Sequence, residues 1–174
     1  EASYTICNSG DLTATGGDGE FGGGDSDWVE LYTGNEYAGD LINSGDINIS
    51  GGNSSGGDGG VVSGIDLYVY GGHLITSGNI VARGGSTTDA SSNGGEGGYI
   101  YLMTYYGYLD GEDVPVGDML VSGNFDTRGG NAAADGTGTG GSGGYIDFYH
   151  QTDDYPTGQR LALLGYDSII TRGG

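Results

Sequence analysis

Residues 77–102 read SGNIVARGGSTTDASSNGGEGGYIYL, and three pieces of this run decide the fold. A short strand-like segment, Asn79-Ile80-Val81-Ala82-Arg83, runs into Gly84-Gly85. A polar, glycine-rich loop follows. A second glycine cluster then leads into Tyr99-Ile100-Tyr101-Leu102, in which apolar and polar outlines alternate. Working outward, the first piece recurs as Asp11–Gly17, Asp46–Gly52, Asn124–Gly130 and Ser168–Gly174, and the first glycines of the five pairs are 35, 33, 45 and 44 residues apart. The last piece recurs as Val29–Tyr32, Ile65–Tyr68 and Ile146–Tyr149. A third short strand, Leu41-Ile42-Asn43, has copies at Leu74–Thr76 and Met119–Val121, and the chain opens on a version of it, Thr5-Ile6-Cys7-Asn8. Self-similarity at this period is the mark of a repeat protein.

Every piece alternates with period two, which is strand periodicity and not helical periodicity. A unit of three short strands cannot bury its apolar side alone, and stacking units does so. The expected fold is therefore all-β, a parallel β-helix or β-solenoid of about four to five coils without a capping helix. It forms a single domain over 1–174, with coils at 11–43, 44–76, 77–121 and 122–165 and a partial coil at 166–174. Three inward columns support this. They are Leu12/Ile47/Ile80/Phe125/Ile169, Val29/Ile65/Ile100/Ile146 and Leu31/Leu67/Leu102/Phe148. The segments 105–115 and 152–158 read as insertions between strands.

Composition bounds the rest. Glycine supplies 42 of 174 residues, placed in loops where backbones turn or approach closely. There are 24 acidic residues, four arginines and no lysine, for a net charge of −20. That excludes nucleic-acid binding through phosphates. It fits a salty or calcium-rich medium that screens self-repulsion, or specific binding of divalent ions. No apolar run is long enough to span a membrane as a helix. A first residue that is not Met fits removal of a leader, hence secretion to the cell surface or the extracellular space. The single cysteine, Cys7, forms no disulfide framework and reads as a buried thiol.

No capping segment is visible at either end of the array. Bare end rungs offer unpaired N–H and C=O groups, and head-to-tail contacts of that kind build open filaments. The residues expected at such a joint are Thr5, Ile6 and Cys7 on one side and Ile169, Ile170, Thr171 and Arg172 on the other. Arg83, Arg128 and Arg172 share a column, with loop carboxylates as their expected partners or, for Arg172, acids of a neighbouring copy.

Other candidate sites are weaker. Glu30 and Asp66 fall in one outward column, where about 4.8 Å of separation would suit either Ca²⁺ ligation or two solvated carboxylates. The run Gly22–Val29 resembles the calcium-binding RTX nonapeptide, which places Asp25 and Asp27 beside them as metal candidates. No cofactor is required, and Ca²⁺ is the optional one. Tyr32, Tyr68 and Tyr149 share an outward column, and Tyr105, Tyr106, Tyr108 and Tyr155 sit on the insertions as surface aromatics suited to a sugar ring or another subunit. Asp11, Asp46, Asn79 and Asn124 form an Asx ladder at a turn. Asn53-Ser54-Ser55 is a glycosylation sequon. Only His150 with Asp153-Asp154 hints at catalysis, and no enzyme is expected.

The phrases GGEGGYIYL at 94–102 and GGSGGYIDF at 140–148 look like the glycine-rich repeats of large secreted microbial parallel β-helix surface proteins. The resemblance implies the same fold and an extracellular setting. The expected function is a structural subunit of an extracellular filament or sheath that assembles head to tail with itself. The alternative is a calcium-dependent module that binds polysaccharide or another surface.

Overall fold

The computed structural model describes residues 4–34, 38–151, 159–164 and 169–174. Every regular element among them is a strand. In chain order these are β1 (Ile6–Asn8), β2 (Leu12–Thr15), β3 (Val29–Tyr32), β4 (Leu41–Asn43), β5 (Ile47–Ser50), β6 (Gly64–Tyr70), β7 (Leu74–Thr76) and β8 (Ile80–Arg83). They continue as β9 (Tyr99–Tyr105), β10 (Gly107–Leu109), β11 (Glu112–Val114), β12 (Met119–Val121), β13 (Phe125–Asp126), β14 (Ile146–His150), β15 (Leu161–Leu163) and β16 (Ile169–Ile170).

Fourteen of the sixteen strands lie in three parallel sheets, which the chain visits in strict rotation. The first has the order β1-β4-β7-β12-β15, the second β2-β5-β8-β13-β16 and the third β3-β6-β9-β14. Parallel neighbours need long crossovers, and here each crossover is the visit to the other two sheets. The registers match the columns read from the sequence. Leu12 pairs with Ile47, Ile47 with Ile80, Ile80 with Phe125 and Phe125 with Ile169. Val29, Ile65, Ile100 and Ile146 pair in turn, as do Leu31, Leu67, Leu102 and Phe148.

Alternation puts one set of side chains inside. Ile47, Ile49, Ile65, Leu67, Leu74, Ile80, Ile100, Leu102 and Met119 are all fully buried in one core cluster. Each such side chain contributes about 1.5–3 kcal/mol by leaving water. The same columns are only partly buried where they reach the outer strands, at Ile6, Leu12, Val29, Leu31, Ile146 and Phe148. The alternation also corrects one expectation. Cys7 is exposed, because Ile6 and Asn8 take the inward positions of β1 and the residue between them must point out.

The loops from the second sheet to the third form a separate structure made of backbone alone. Gly24 donates its N–H to the carbonyl of Gly17, Gly52 to Gly24, Gly60 to Gly52, Gly85 to Gly60 and Gly95 to Gly85. The chain of bonds goes on through Gly130, Gly141 and Gly174, each link 2.8–2.9 Å long. These loops pack so closely that a Cβ on Gly85 would stand 2.0 Å from the Gly52 carbonyl oxygen, and one on Gly60 would stand 2.1 Å from that of Gly24. Here glycine is required for close approach, not for a left-handed φ.

Side-chain ladders run beside the backbone bonds. Asp11 accepts the N–H of Asp46, Asp46 that of Asn79, and Asn79 that of Asn124. Asp18, Asn53 and Ser86 form a second ladder with the N–H groups of Asn53, Ser86 and Asn131. Asp40, His73 and Asp118 form a third, and Asp58 with Asn93 a fourth. Each rung's side chain accepts from the next rung, so six of the 24 acidic residues serve to satisfy turn N–H groups.

The exception to the parallel rule is the antiparallel pair β10–β11. Its two-residue turn, Asp110-Gly111, has φ of 53° and 84°, as a type I′ hairpin turn requires. It lies within the segment expected as an irregular insertion. Among the described residues no helix is long and apolar enough to cross a membrane.

Candidate functional site

Two regions carry the residues singled out by sequence: the outer edges of the stacked strands, and the outward face of the third sheet. At one edge, β1 leaves Thr5 and Cys7 exposed and Ile6 half-buried. At the opposite edge Ile169 is 41% exposed, Leu161 45% and Leu163 39%, although all three occupy or adjoin columns that are sealed further in. Ile170 is half-buried there, and Thr171 and Arg172 are exposed.

The glycine columns report on the first edge most sharply. A Cβ on Gly45, Gly78 or Gly123 would meet the carbonyl of the glycine one rung earlier at 2.0–2.4 Å. One on Gly52, Gly85, Gly130 or Gly174 would do the same at 1.8–2.1 Å. The first members of these columns, Gly10 and Gly17, have nothing within 4 Å, and neither has a positive φ.

The arginine column is tied down from within. Arg83 and Arg128 both reach the carboxylate of Asp126 in β13; Arg128 does so through Nε at 3.0 Å and Nη2 at 2.8 Å. Burial alone would raise the Asp126 pKa, but the bonds from Arg128 and Arg83 outweigh it and pull it down to about 2. The expected loop carboxylates are thus replaced by a strand residue that sequence reasoning missed. Arg83, Arg128 and Arg172 line one open groove of about 430 Å³ together with glycine backbone.

On the third sheet the outward column Glu30, Asp66, Tyr101, Asp147 is in register. Asp66 is nonetheless only 8% exposed, which overturns the expectation of two solvated carboxylates. The cause is Gly64, whose missing side chain lets the Tyr99 ring lie across it; a Cβ there would stand 2.5 Å from that ring. The Tyr99 hydroxyl lies 3.5 Å from Asp66 Oδ2, and among the described residues Oδ1 is buried without a partner. Burial, with the Glu30 charge as a lesser cause, raises the Asp66 pKa against the lowering effect of bonds from Tyr68 and Tyr99. Asp25 and Asp27 are exposed, and Asp25 accepts the Val61 N–H at 2.9 Å. Among the described residues, no three His, Cys, Asp or Glu side chains converge as a metal set.

Tyrosines cover the same face. Tyr99 and Tyr101 lie 4.8 Å apart between ring centres, and Tyr145 packs on both. The Tyr101–Tyr145 hydroxyl contact, the largest cause, pushes the Tyr101 pKa up to about 12. Tyr32 and Tyr149 are exposed and Tyr68 is half-buried. Tyr105 stacks between Tyr70 at 5.2 Å and Tyr149 at 5.3 Å. It closes β9, and Tyr108 lies in β10, so neither is on a loop. Tyr106 and Tyr108 meet edge to face at 5.5 Å. Tyr70, Tyr105, Tyr106 and Tyr108 line, with Gln151, an open pocket of about 240 Å³. The Asp110-Gly111 dipeptide was the sequence signal for this wall; no signal pointed to Gln151.

Tyr155 and the Asp153-Asp154 pair lie outside the described residues. His150 faces inward, with Nδ1 2.6 Å from Thr104 Oγ1, and burial lowers its pKa. Asn53 is exposed, but its side-chain oxygen belongs to a ladder.

No family model, curated protein or solved structure matches this chain.

Proposed function

We propose that the three parallel sheets are the faces of one β-solenoid, and that the chain is a structural subunit of an extracellular filament or sheath that stacks head to tail on copies of itself. The observation that carries this reading is the glycine at the outer ends of the columns. At Gly45, Gly78, Gly52, Gly85 and Gly130 a side chain is barred by the rung before. At Gly10 and Gly17 the chain's own fold bars nothing, yet glycine stands there. A rung docked against that edge would impose the same requirement.

Three further features support the reading. The half-exposed Ile169, Leu161 and Leu163 at the far edge are apolar surface that a docked rung would cover. The turn ladders that begin at Asp11, Asp18, Asp40 and Asp58 run one way, so an incoming rung extends them without change of polarity. The net charge of −20 is tolerable in a stack only where salt or Ca²⁺ screens it, as in many extracellular media.

The test uses the chain as it is, in high salt and in millimolar Ca²⁺, by light scattering and negative-stain microscopy. Filaments are expected, with scattering that rises with protein concentration. Gly17→Ala and Gly10→Ala are expected to leave the monomer's melting temperature unchanged and to abolish filaments. A chain that stays monomeric in every condition, or filaments that form equally well from both variants, overturns the proposal.

A further inference from the structure

We propose that Tyr101 and Tyr145 form a modification site, where oxidation couples the two rings into a bityrosine link that ties β9 to the entrance of β14. Such coupling joins the ring carbon beside each phenol oxygen, so in the product the two hydroxyls flank the new bond. Tyr101 and Tyr145 already stand that way. Their hydroxyls are in hydrogen-bond contact, their ring centres lie 5.5 Å apart and their planes cross at 72°. Hydroxyls on either side of a bond between rings keep those rings from lying in one plane, so a steep crossing suits the product as well as the starting pair. Tyr145 is 51% exposed and Tyr101 half-buried, so an oxidant can reach the pair from solvent.

The other tyrosine contacts suit coupling between rungs less well. Tyr70 with Tyr105 and Tyr99 with Tyr145 are stacked, at 20° and 26°, which sets ring face against ring face. Tyr99 turns its hydroxyl toward Asp66, and Tyr105 turns its own to the Met103 sulfur. Tyr106 and Tyr108 meet at 82° but are neighbours in the chain, so a link there would tie nothing distant. Tyr101 and Tyr145 are 44 residues apart in the chain and diagonal neighbours across two paired strands, since Ile146 pairs with Ile100 and Asp147 with Tyr101.

The step balances with hydrogen peroxide as oxidant and a haem peroxidase to deliver it. Each phenol gives up one electron and its hydroxyl proton. In the resting pair one hydroxyl donates to the other, so the donor's proton has an acceptor in place. The two phenoxyl radicals join carbon to carbon, and each ring then moves the proton of its coupled carbon to oxygen and is aromatic again. One C–C bond replaces two C–H bonds, and the two electrons and two protons reduce one peroxide to two waters. The link falls where the fold is least sealed. β14 is the outer strand of its sheet, with Ile146 and Phe148 only partly buried, whereas Ile100 and Leu102 of β9 are fully buried. It lies within one chain, so it forms whether or not copies stack.

Oxidation of the dilute chain by a haem peroxidase with limiting hydrogen peroxide tests the proposal, with disulfides reduced before peptide mapping. Bityrosine fluorescence is expected, in a monomer lighter by two hydrogens, with one dominant linked peptide pair that holds residues 101 and 145. The melting temperature should rise by roughly 10 °C, because the link closes a loop between residues 44 apart. Tyr145→Phe is expected to remove that peptide pair and most of the fluorescence, and to leave the melting temperature before oxidation nearly unchanged. Tyr32→Phe, at an equally exposed ring, should keep both signals. In urea the same treatment should scatter links among many tyrosines. Absence of bityrosine from the monomer, a dominant link elsewhere, full fluorescence from Tyr145→Phe, or the same dominant link in urea would each overturn the assignment.

Discussion

The sheets and the glycine loops stack along the same direction, yet opposite means hold them. In the sheets, side chains fill the space: columns of Ile, Leu, Val and Phe interlock and exclude water. In the loops, side chains are absent so that backbones can touch, and a single chain of N–H to carbonyl bonds runs from Gly17 to Gly174. One region is stabilised by what its residues carry and the other by what they lack. A small chain with modest apolar content is thereby given two cores, one dry with hydrocarbon and one dry with peptide. The second core tolerates less, because backbone cannot repack as a side chain can.

The largest effect should therefore come from the smallest change. Gly85→Ala adds one methyl group 2.0 Å from the Gly52 carbonyl oxygen, with the Gly51 oxygen at 2.9 Å. Overpacking a core usually costs about 1–3 kcal/mol, and against the fixed backbone of the rung before the cost should exceed that range. Loss of cooperative thermal unfolding, or a fall in melting temperature larger than that of any single core truncation, is the expected result. Gly17→Ala, the same substitution at the open end of the same column, should stay within about 0.5 kcal/mol of the parent. If the two variants melt alike, the glycine loops are not a packed core.

Next comes the hydrocarbon side of the comparison. Phe125 is 1% exposed and meets Phe148 edge to face at 5.7 Å. Phe125→Ala should cost about 3–5 kcal/mol in denaturant unfolding, since the neighbouring column can only partly close the hole. Phe21, on the rim of the glycine loops, is 87% exposed, and Phe21→Ala should be near neutral in the isolated chain. A Phe125→Ala cost below about 1 kcal/mol would mean that the columns touch without packing.

The two regions were not equally legible. The strand columns could be read because like residues recur at like places: Ile47, Ile80 and Ile169 announce their own register. The glycine core could only be counted, since a residue without a side chain does not reveal which neighbour it approaches or from which side. Cys7 was misplaced because membership of a repeat was read as burial, when period-two alternation sends that position outward. The burial of Asp66 was hidden for a different reason. It depends on Gly64, two residues earlier, letting a tyrosine from the next rung lie across it. The hairpin was written plainly as Asp110-Gly111 between alternating residues, but length made the segment look like a loop. Asp126 was overlooked because the column of Arg83, Arg128 and Arg172 runs into the glycine loops and drew attention to loop carboxylates, while the carboxylate that serves Arg83 and Arg128 sits within a two-residue strand.

The smallest expected effects separate the two buried carboxylates, and they carry opposite signs with pH. The bonds from Arg128 and Arg83 pull the Asp126 pKa down from its ordinary 3.8 to about 2, so these ion pairs stabilise the fold above pH 4 and that stability is lost as pH falls from about 4 to 2. The span corresponds to roughly 2 kcal/mol at most, and to less once screening is allowed for, because the Arg83 and Arg128 side chains are 44% and 33% exposed. Asp66 behaves in reverse. Burial raises its pKa, so the folded chain holds that proton more tightly than the unfolded chain does. The stability it contributes is complete below the unfolded pKa and is lost as pH rises through the folded one. Asp126→Asn should therefore weaken the fold at neutral pH and flatten the acid limb of stability, while Asp66→Asn should strengthen it slightly at neutral pH and leave that limb in place. Urea unfolding of both variants between pH 2 and 7 reads the two slopes directly. If the slopes share a sign, one of the two carboxylates does not sit in the surroundings described, and Asp66 is the one to suspect. A cation held between Asp66 and Glu30 would lower its pKa and turn its slope to match that of Asp126.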